Sequence, residues 1–425
     1  MVLDSKAGVS GPADSWLKRH YGWVVAIGSG LLMFLNSQFV YTFGVLLPSL
    51  IQEFGWSRAA VSSIATMRAV TTGVLSPITG RLSDRYGSRK LILGGVVLCG
   101  LGYVLTFNAT TLWQFYLALG LFMGASNAIV AVPALALVNR WFRTKAAFAN
   151  GIAMAGAGLS QIVIPPLLAY LLIAHGWSSS LLGIGIVTWL VGVGTWSLMK
   201  SPPAESVAAR PATGAAATGR VEYTPRQFLR TRAFWTLFVV FLITAAAFQM
   251  VCTHIVVAAM DTGATAAAAA LILTVQGVAN TAGRLGAGIA DKFGKQKILI
   301  AAAAIQAVSL LVVAHMNSLM ALYAVMGVYG LAYGSIVPNI QALGGSVFGR
   351  KAVGSVIGAL ATGYLAGAAI GPILGGLAFD MTGGYYVAFL AAMGALCVAL
   401  GLAISFRPPR ERLAVEVPSP ERVAD

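Results

Sequence analysis

The chain alternates long apolar runs with short polar breaks. Runs of span length fall at roughly 22–48, 59–81, 91–109, 112–138, 148–173, 180–198, 232–258, 266–290, 298–315, 318–342, 353–376 and 385–405. About 20 predominantly apolar residues cross the hydrocarbon core of a bilayer as a helix. The pattern therefore predicts an all-α integral membrane protein with twelve transmembrane helices. One break is unlike the others. Residues 200–230 are rich in Pro, Ala, Gly and Arg and hold no long apolar run, which reads as a linker. It separates an N-terminal six-helix half (1–199) from a C-terminal six-helix half (231–406), and residues 407–425 form a polar tail.

Composition agrees with the pattern. Only 10% of residues are charged and 58% are hydrophobic, against roughly 25% charged in soluble domains. The 49 glycines suit membrane helices that pack closely through small residues. The first apolar run is of span length and lacks the short core and small-residue cleavage site of a signal peptide. Cys99, Cys252 and Cys397 all fall within predicted spans, without metal-ligand spacing or a disulfide framework.

The net charge of +15 raises the question of nucleic acid, and its placement answers no. With a cytoplasmic N-terminus, all 28 Lys and Arg except Arg58, Arg68 and Arg284 fall in cytoplasmic loops, tails or helix ends. That is the positive-inside asymmetry, and it puts both termini in the cytoplasm of a multi-pass cell-membrane protein.

The halves also repeat. GRLSDRYGSRK at 80–90 follows the second span and AGIADKFGKQK at 287–297 follows the eighth. Asp84 matches Asp291 and Gly87 matches Gly294. Duplicated six-helix units are what many transporters are built from. Gly80, Asp84, Arg85, Gly87 and Arg89 together resemble the signature loop of the major facilitator superfamily. The resemblance implies the major facilitator fold, with these residues, Asp291 and Gly294 in the conformational loops. Two further stretches, HYGWVVAIGSG at 20–30 and RWFRTKAAFANGIAMAGAG at 140–158, resemble the paired signatures of the monocarboxylate transporter family, which is related to oxalate/formate antiporters.

In that family an eighth-span arginine anchors the carboxylate, and Arg284 takes that place. Three departures stand out. Asn280 occupies the position where animal members commonly have aspartate, and Tyr41 aligns with their first-span lysine. Arg284 also lies one residue closer to the loop acid Asp291 than the family's arginine does.

The residues read independently point the same way. An arginine at a span centre costs about 2.5–3.5 kcal/mol on insertion scales, so it is retained where it faces a cavity and binds something. Guanidinium clamps a carboxylate through two parallel hydrogen bonds. Asn280, four residues earlier, shares the helix face of Arg284. Arg68 in the second span reads either as a second anion-binding charge or as a snorkelling or paired residue. All 13 acidic residues map to loops, tails or helix ends, so His254 is the titratable group at depth. It reads either as a proton carrier or as a satisfied interfacial histidine. Asn127, Tyr329, Tyr333 and Tyr364 are further candidates for the cavity wall. One cation without a mid-span acid favours a monoanion.

The expected activity is secondary transport of a lactate- or pyruvate-like monocarboxylate with a proton. An oxalate/formate-type antiporter is the alternative, and a non-transporting carboxylate sensor a weaker one. The expected partners are that anion, a proton and membrane lipid, with no nucleic acid, cofactor or metal. A monomer is expected. The spans carry no nucleophile motif or acid–base pair that would suggest an enzyme.

Overall fold

A computed structural model describes residues 12–142, 146–200, 225–286, 293–316, 318–348 and 353–408. For residues 12–20, 84, 146–148, 225, 353 and 354 it describes only the backbone. The helices are α1 (Pro12–Phe54), α2 (Arg58–Tyr86), α3 (Ser88–Leu105) and α4 (Leu112–Trp141). Ala146–Leu198 is broken at Gly176 (φ 72°) into α5 and α6. The second half holds α7 (Arg232–Asp261), α8 (Ala266–Leu285), α9 (Lys295–His315), α10 (Leu319–Phe348), α11 (Val353–Thr382) and α12 (Tyr386–Ser405). Most of the linker, 201–224, lies outside the described residues.

Ten described segments are long and apolar enough to cross a membrane. One of them, Ala149–Leu198, contains both α5 and α6. The helix that fails the apolarity requirement is α2. Several of its polar residues face other helices: Ser62, Arg68, Thr71, Thr72, Thr79 and Ser83 are all buried. The predicted spans match these helices, with α2 continuing past 81 to Tyr86 and the described part of α8 ending at Leu285.

Local chemistry marks the helix starts. Ser57, Thr231 and Thr265 each accept a hydrogen bond from the backbone N–H three residues on, capping α2, α7 and α8. Gly87 and Gly294, the paired glycines of the repeat, have φ of 85° and 95°, a region that penalises any side chain. Each turns the chain into the next helix, α3 or α9.

The two family-like stretches meet in space. Tyr21 and Trp23 at the start of α1 pack on Trp141 (5.5 Å between ring centroids) and Phe142 (4.6 Å). A Cβ on Gly22 would press on the Phe142 ring at 3.2 Å. Trp141 also donates to the Lys200 carbonyl (2.8 Å), so this cluster sits where α1, α4 and α6 meet at the linker end of the bundle.

The halves join along three helix pairs. α1 meets α7, where a Cβ on Gly44 would lie 2.7 Å from the Thr253 carbonyl. α2 meets α11, with Thr66 Oγ1 donating to the Ala369 carbonyl (2.6 Å). α5 meets α8, with Thr274 Oγ1 donating to the Ile162 carbonyl (2.9 Å). Among the described residues these contacts run from the far end of the bundle, opposite the linker, to mid-depth.

Candidate functional site

The site begins with how α8 is held. In the stretch GVANTAGRLGAG (277–288), Gly277 lies against the Gln161 side chain of α5, at 2.9 Å from its would-be Cβ. On the neighbouring side, Gly283 faces the Leu331 carbonyl, and Gly334 of α10 faces the Asn280 carbonyl, both too close for a side chain. Missing side chains let three backbones approach, and this clamps the rotation of α8.

That rotation aims a directed chain of polar groups. Arg284 Nε donates to Asn280 Oδ1 (3.1 Å). Asn280 Nδ2 donates to Gln161 Oε1 (3.2 Å). Gln161 Nε2 donates to Gln276 Oε1 (3.4 Å). Because guanidinium can only donate, it sets the sense of every amide after it. The chain ends at Gln276 Nε2, which is buried without a partner. It crosses between the halves twice, from α8 to α5 and back. The terminal Arg284 nitrogens have no hydrogen bond or ion pair among the described residues.

Three of the expected tyrosines lie on helices packed around α7. The Tyr364 ring of α11 lies 5.3 Å from Phe241 of α7. Tyr333 stacks on Phe248 of α7 (3.7 Å, 5°), with Tyr329 parallel at 6.5 Å. Both tyrosine hydroxyls are buried without a partner.

Two expected residues stand elsewhere. Asn127 donates to Asn36 Oδ1 (2.8 Å), and Asn36 donates to Ser126 (2.8 Å). Asn127 thus ties α1 to α4. His254 is fully buried rather than interfacial, because α7 continues two turns beyond it to Asp261. Its Nε2 donates to the Pro372 carbonyl (2.8 Å) and its Nδ1 lies 3.1 Å from the Tyr385 hydroxyl. Arg68, 8% exposed, has neither an ion pair nor a hydrogen bond among the described residues, and its guanidinium sits 5.8 Å from the Phe39 ring centroid. Of the loop residues, Arg89 lies over the Trp196 ring at 4.7 Å and Arg85 over Tyr86 at 5.3 Å. Gly80 faces Val132 of α4. Asp291 and the Asp84 side chain lie outside the described residues.

The role of Arg58 was not legible in the charge pattern, where it stood only as an exception. It forms a latch at the far end. Its guanidinium binds Asp261 through two hydrogen bonds (2.8 and 3.1 Å), donates to Tyr385 (2.8 Å) and lies 3.6 Å over the Phe379 ring. The backbone N–H groups of Arg58 and Ala59 donate to the Asp380 carboxylate (3.0 and 2.9 Å), an acid at a helix N-terminus. The latch reaches His254. Arg58 can only donate to the Tyr385 oxygen, so the Tyr385 proton is free for His254 Nδ1. Burial pushes the Tyr385 hydroxyl up to about 12, which keeps that proton in place. The sequence signal was three charged residues, Arg58, Asp261 and Asp380, each at or within two residues of a helix end.

The comparisons with known proteins fit this geometry. The profile of the Major Facilitator Superfamily matches residues 29–288 and 255–423. Mouse monocarboxylate transporter 11 is 27% identical over 391 residues, covering 90% of this chain and 85% of the relative. Its human counterpart is 29% identical over 392 residues, covering 90% and 81%. Bovine monocarboxylate transporter 13 is 27% identical over 389 residues, covering 91% and 89%. Among solved structures, a bacterial homologue of the human lysosomal transporter Spinster aligns with a TM-score of 0.75 at 15% identity, over 93% of this chain and 97% of its own. A nucleoside transporter aligns at 0.72 and 13% identity, over 91% and 99%. With two six-helix halves, a duplicated glycine turn and a profile spanning both, this chain belongs to the major facilitator superfamily and within it resembles the monocarboxylate transporters.

Proposed function

We propose that the protein is a secondary active transporter that moves small monocarboxylates, of lactate or pyruvate size, with a proton across the cell membrane. The observation that carries the reading is Arg284: a permanent, part-buried cation in the last turn of α8, with its Nε held by Asn280 and its terminal nitrogens without a hydrogen bond or ion pair among the described residues. A carboxylate binds those nitrogens and offsets the cost of a partly desolvated, unbalanced charge. The names of the relatives support the same cargo class.

Alternating access follows from the join between halves. The latch joins the halves at the far end, while the polar chain joins them at mid-depth. Positive-inside reasoning puts the linker and both termini in the cytoplasm, so the latch lies at the outer end. Substrate at Arg284 lets the halves rock about the site. His254 carries the proton. A protonated imidazole has no acceptor at Nδ1, so it opposes the Tyr385 proton and loosens the latch. The Asn280 and Tyr41 departures leave no lysine–aspartate pair, which supports a proton site elsewhere, at the latch.

The experiment is uptake of labelled lactate into proteoliposomes under an inward proton gradient, comparing the native chain with Arg284→Gln. Gradient-driven uptake that the variant abolishes is expected. Equal uptake by the two removes the assignment.

A further inference from the structure

A basic cavity at the linker end of the second half has no part in the transport reading. It has a volume of about 580 Å³ and lies between the start of α7 and the end of α12. Its walls are Arg232, Ala233, Thr236, Ile404, Ser405 and Arg407. That size falls in the range of small-molecule sites, roughly 300–1,000 Å³.

Local structure fixes both arginines on the walls. Thr231 accepts from the Phe234 N–H (3.2 Å) and donates to the Phe228 carbonyl (2.7 Å), so Arg232 opens the helix. On the other side α12 ends at Ser405, and Phe406 is buried. Gln296 of α9 donates to the carbonyls of Ala403 and Phe406, both at 3.0 Å. Pro408 restricts the residue before it to extended backbone. Arg407 is therefore held from both sides in the chain.

Charge and depth name the ligand. Neither guanidinium has a hydrogen bond or ion pair among the described residues, and no acid lines the cavity. Two like charges share one hollow, and an anion between them relieves their repulsion. Ala233 belongs to the first turn of α7, whose N–H groups lack partners within the helix and favour an anion. Arg232 begins the α7 span and Ser405 ends the α12 span, so the cavity sits where both helices cross the membrane surface. Trp235, half exposed on α7, is the type of side chain that marks this level. Exposed Ile404 gives the same wall an apolar surface, which a free anion does not use and a lipid does. Basic pockets between helices at this level take anionic headgroups.

We propose that this cavity binds the headgroup of an anionic phospholipid, with its phosphate between Arg232 and Arg407 and its glycerol and upper chain along Ile404. The lipid ties the start of α7 to the end of α12 and steadies the linker end of that half. The site is separate from Arg284, and its test requires no transported cargo.

Native mass spectrometry of the purified, delipidated full chain, titrated with phosphatidylglycerol or phosphatidylcholine, tests this. Phosphatidylglycerol is expected to bind about tenfold or more tighter, since each basic residue near an anionic headgroup contributes about fivefold. Arg232→Gln with Arg407→Gln is expected to bring the two lipids within about threefold of each other. Arg232→Lys with Arg407→Lys keeps both charges and is expected to retain most of the preference. Arg81→Gln with Lys90→Gln removes the same net charge from the α2–α3 turn at the same end of the bundle. That control lies outside the cavity and is expected to leave the preference intact. The proposal is overturned if the native chain does not prefer phosphatidylglycerol, or if the cavity pair of glutamines leaves the preference unchanged. It is overturned equally if the control pair lowers the preference as much, since attraction is then general to the surface. Unfolding of both the glutamine and the lysine pairs also overturns it, because the arginines are then structural. Inorganic phosphate separates the two sources of the anion. Phosphate that binds the lipid-free chain as tightly as phosphatidylglycerol makes this a free-anion site and removes the lipid.

Discussion

Asn280 accepts from Arg284 Nε at 3.1 Å and donates from its own amide N–H to Gln161 Oε1 at 3.2 Å. The cation thereby orders two further side chains across the boundary between the halves. An aspartate at 280 would do something different. It would pair with the guanidinium, cancel its charge and offer Gln161 only an acceptor.

Asn280→Asp is therefore expected to reduce lactate uptake at least about tenfold, the worth of one charge-assisted hydrogen bond. Asn280→Ala, which only frees the arginine, is expected to raise KM with a smaller loss of maximal rate. Uptake kinetics in proteoliposomes distinguish the two. Equal kinetics in both variants contradict the ordering role.

The latch makes a separate prediction. Asp261 is 41% exposed, so its pair with Arg58 carries the modest worth of a partly solvated bridge, about 1 kcal/mol. Asp261→Asn is expected to shift the halves toward the far-end-open state by about fivefold, the factor that corresponds to that energy. Accessibility of a reporter cysteine at position 59 to an impermeant thiol reagent, in a background without native cysteines, measures this. An unchanged labelling rate shows that the pair does not hold the far end shut.

The pH dependence should run through the same place. Neutral His254 accepts from Tyr385, and protonated His254 cannot. Acidification is therefore expected to loosen the latch in the native chain. In His254→Gln and Tyr385→Phe the dependence should flatten, because each breaks the same contact. A pH profile of uptake that stays native in both variants rules out this link.

Packing of α8 is testable without substrate. Gly283→Leu drives a side chain into the Leu331 carbonyl, and overpacking of this kind costs about 1–3 kcal/mol. A clear fall in unfolding temperature is expected. Gly151→Ala serves as the control, since a Cβ at Gly151 meets nothing within 4 Å, and it should leave that temperature at or above the native value.

Much of the fold was readable along the chain. Apolar run length set the helix count, and the 80–90 and 287–297 copies exposed the duplication. α2, predicted as an apolar run at 59–81, is not among the described segments apolar enough to cross a membrane, and its place in the bundle is set by packing. Arg284 and Asn280 were readable as a pair because four residues make one helical turn. Partners on other helices were not readable. Gln161 was one polar residue among many until α5 and α8 were packed together, and Asn127 looked equally promising before Asn36 was found beside it. Arg58 had no role until its far-end acids came within 3.1 Å.

The sequence by itself determined the membrane environment, the twelve-helix topology and the presence of deep permanent charges, because apolarity and periodicity are local properties that need no partner. Tertiary structure alone decided which of those charges are answered. Arg58 is balanced by acids more than 200 residues away, while Arg284 and Arg68 have no ion pair among the described residues. Charge balance in a low-dielectric interior depends on distances of a few ångströms between helices, and only packing sets those.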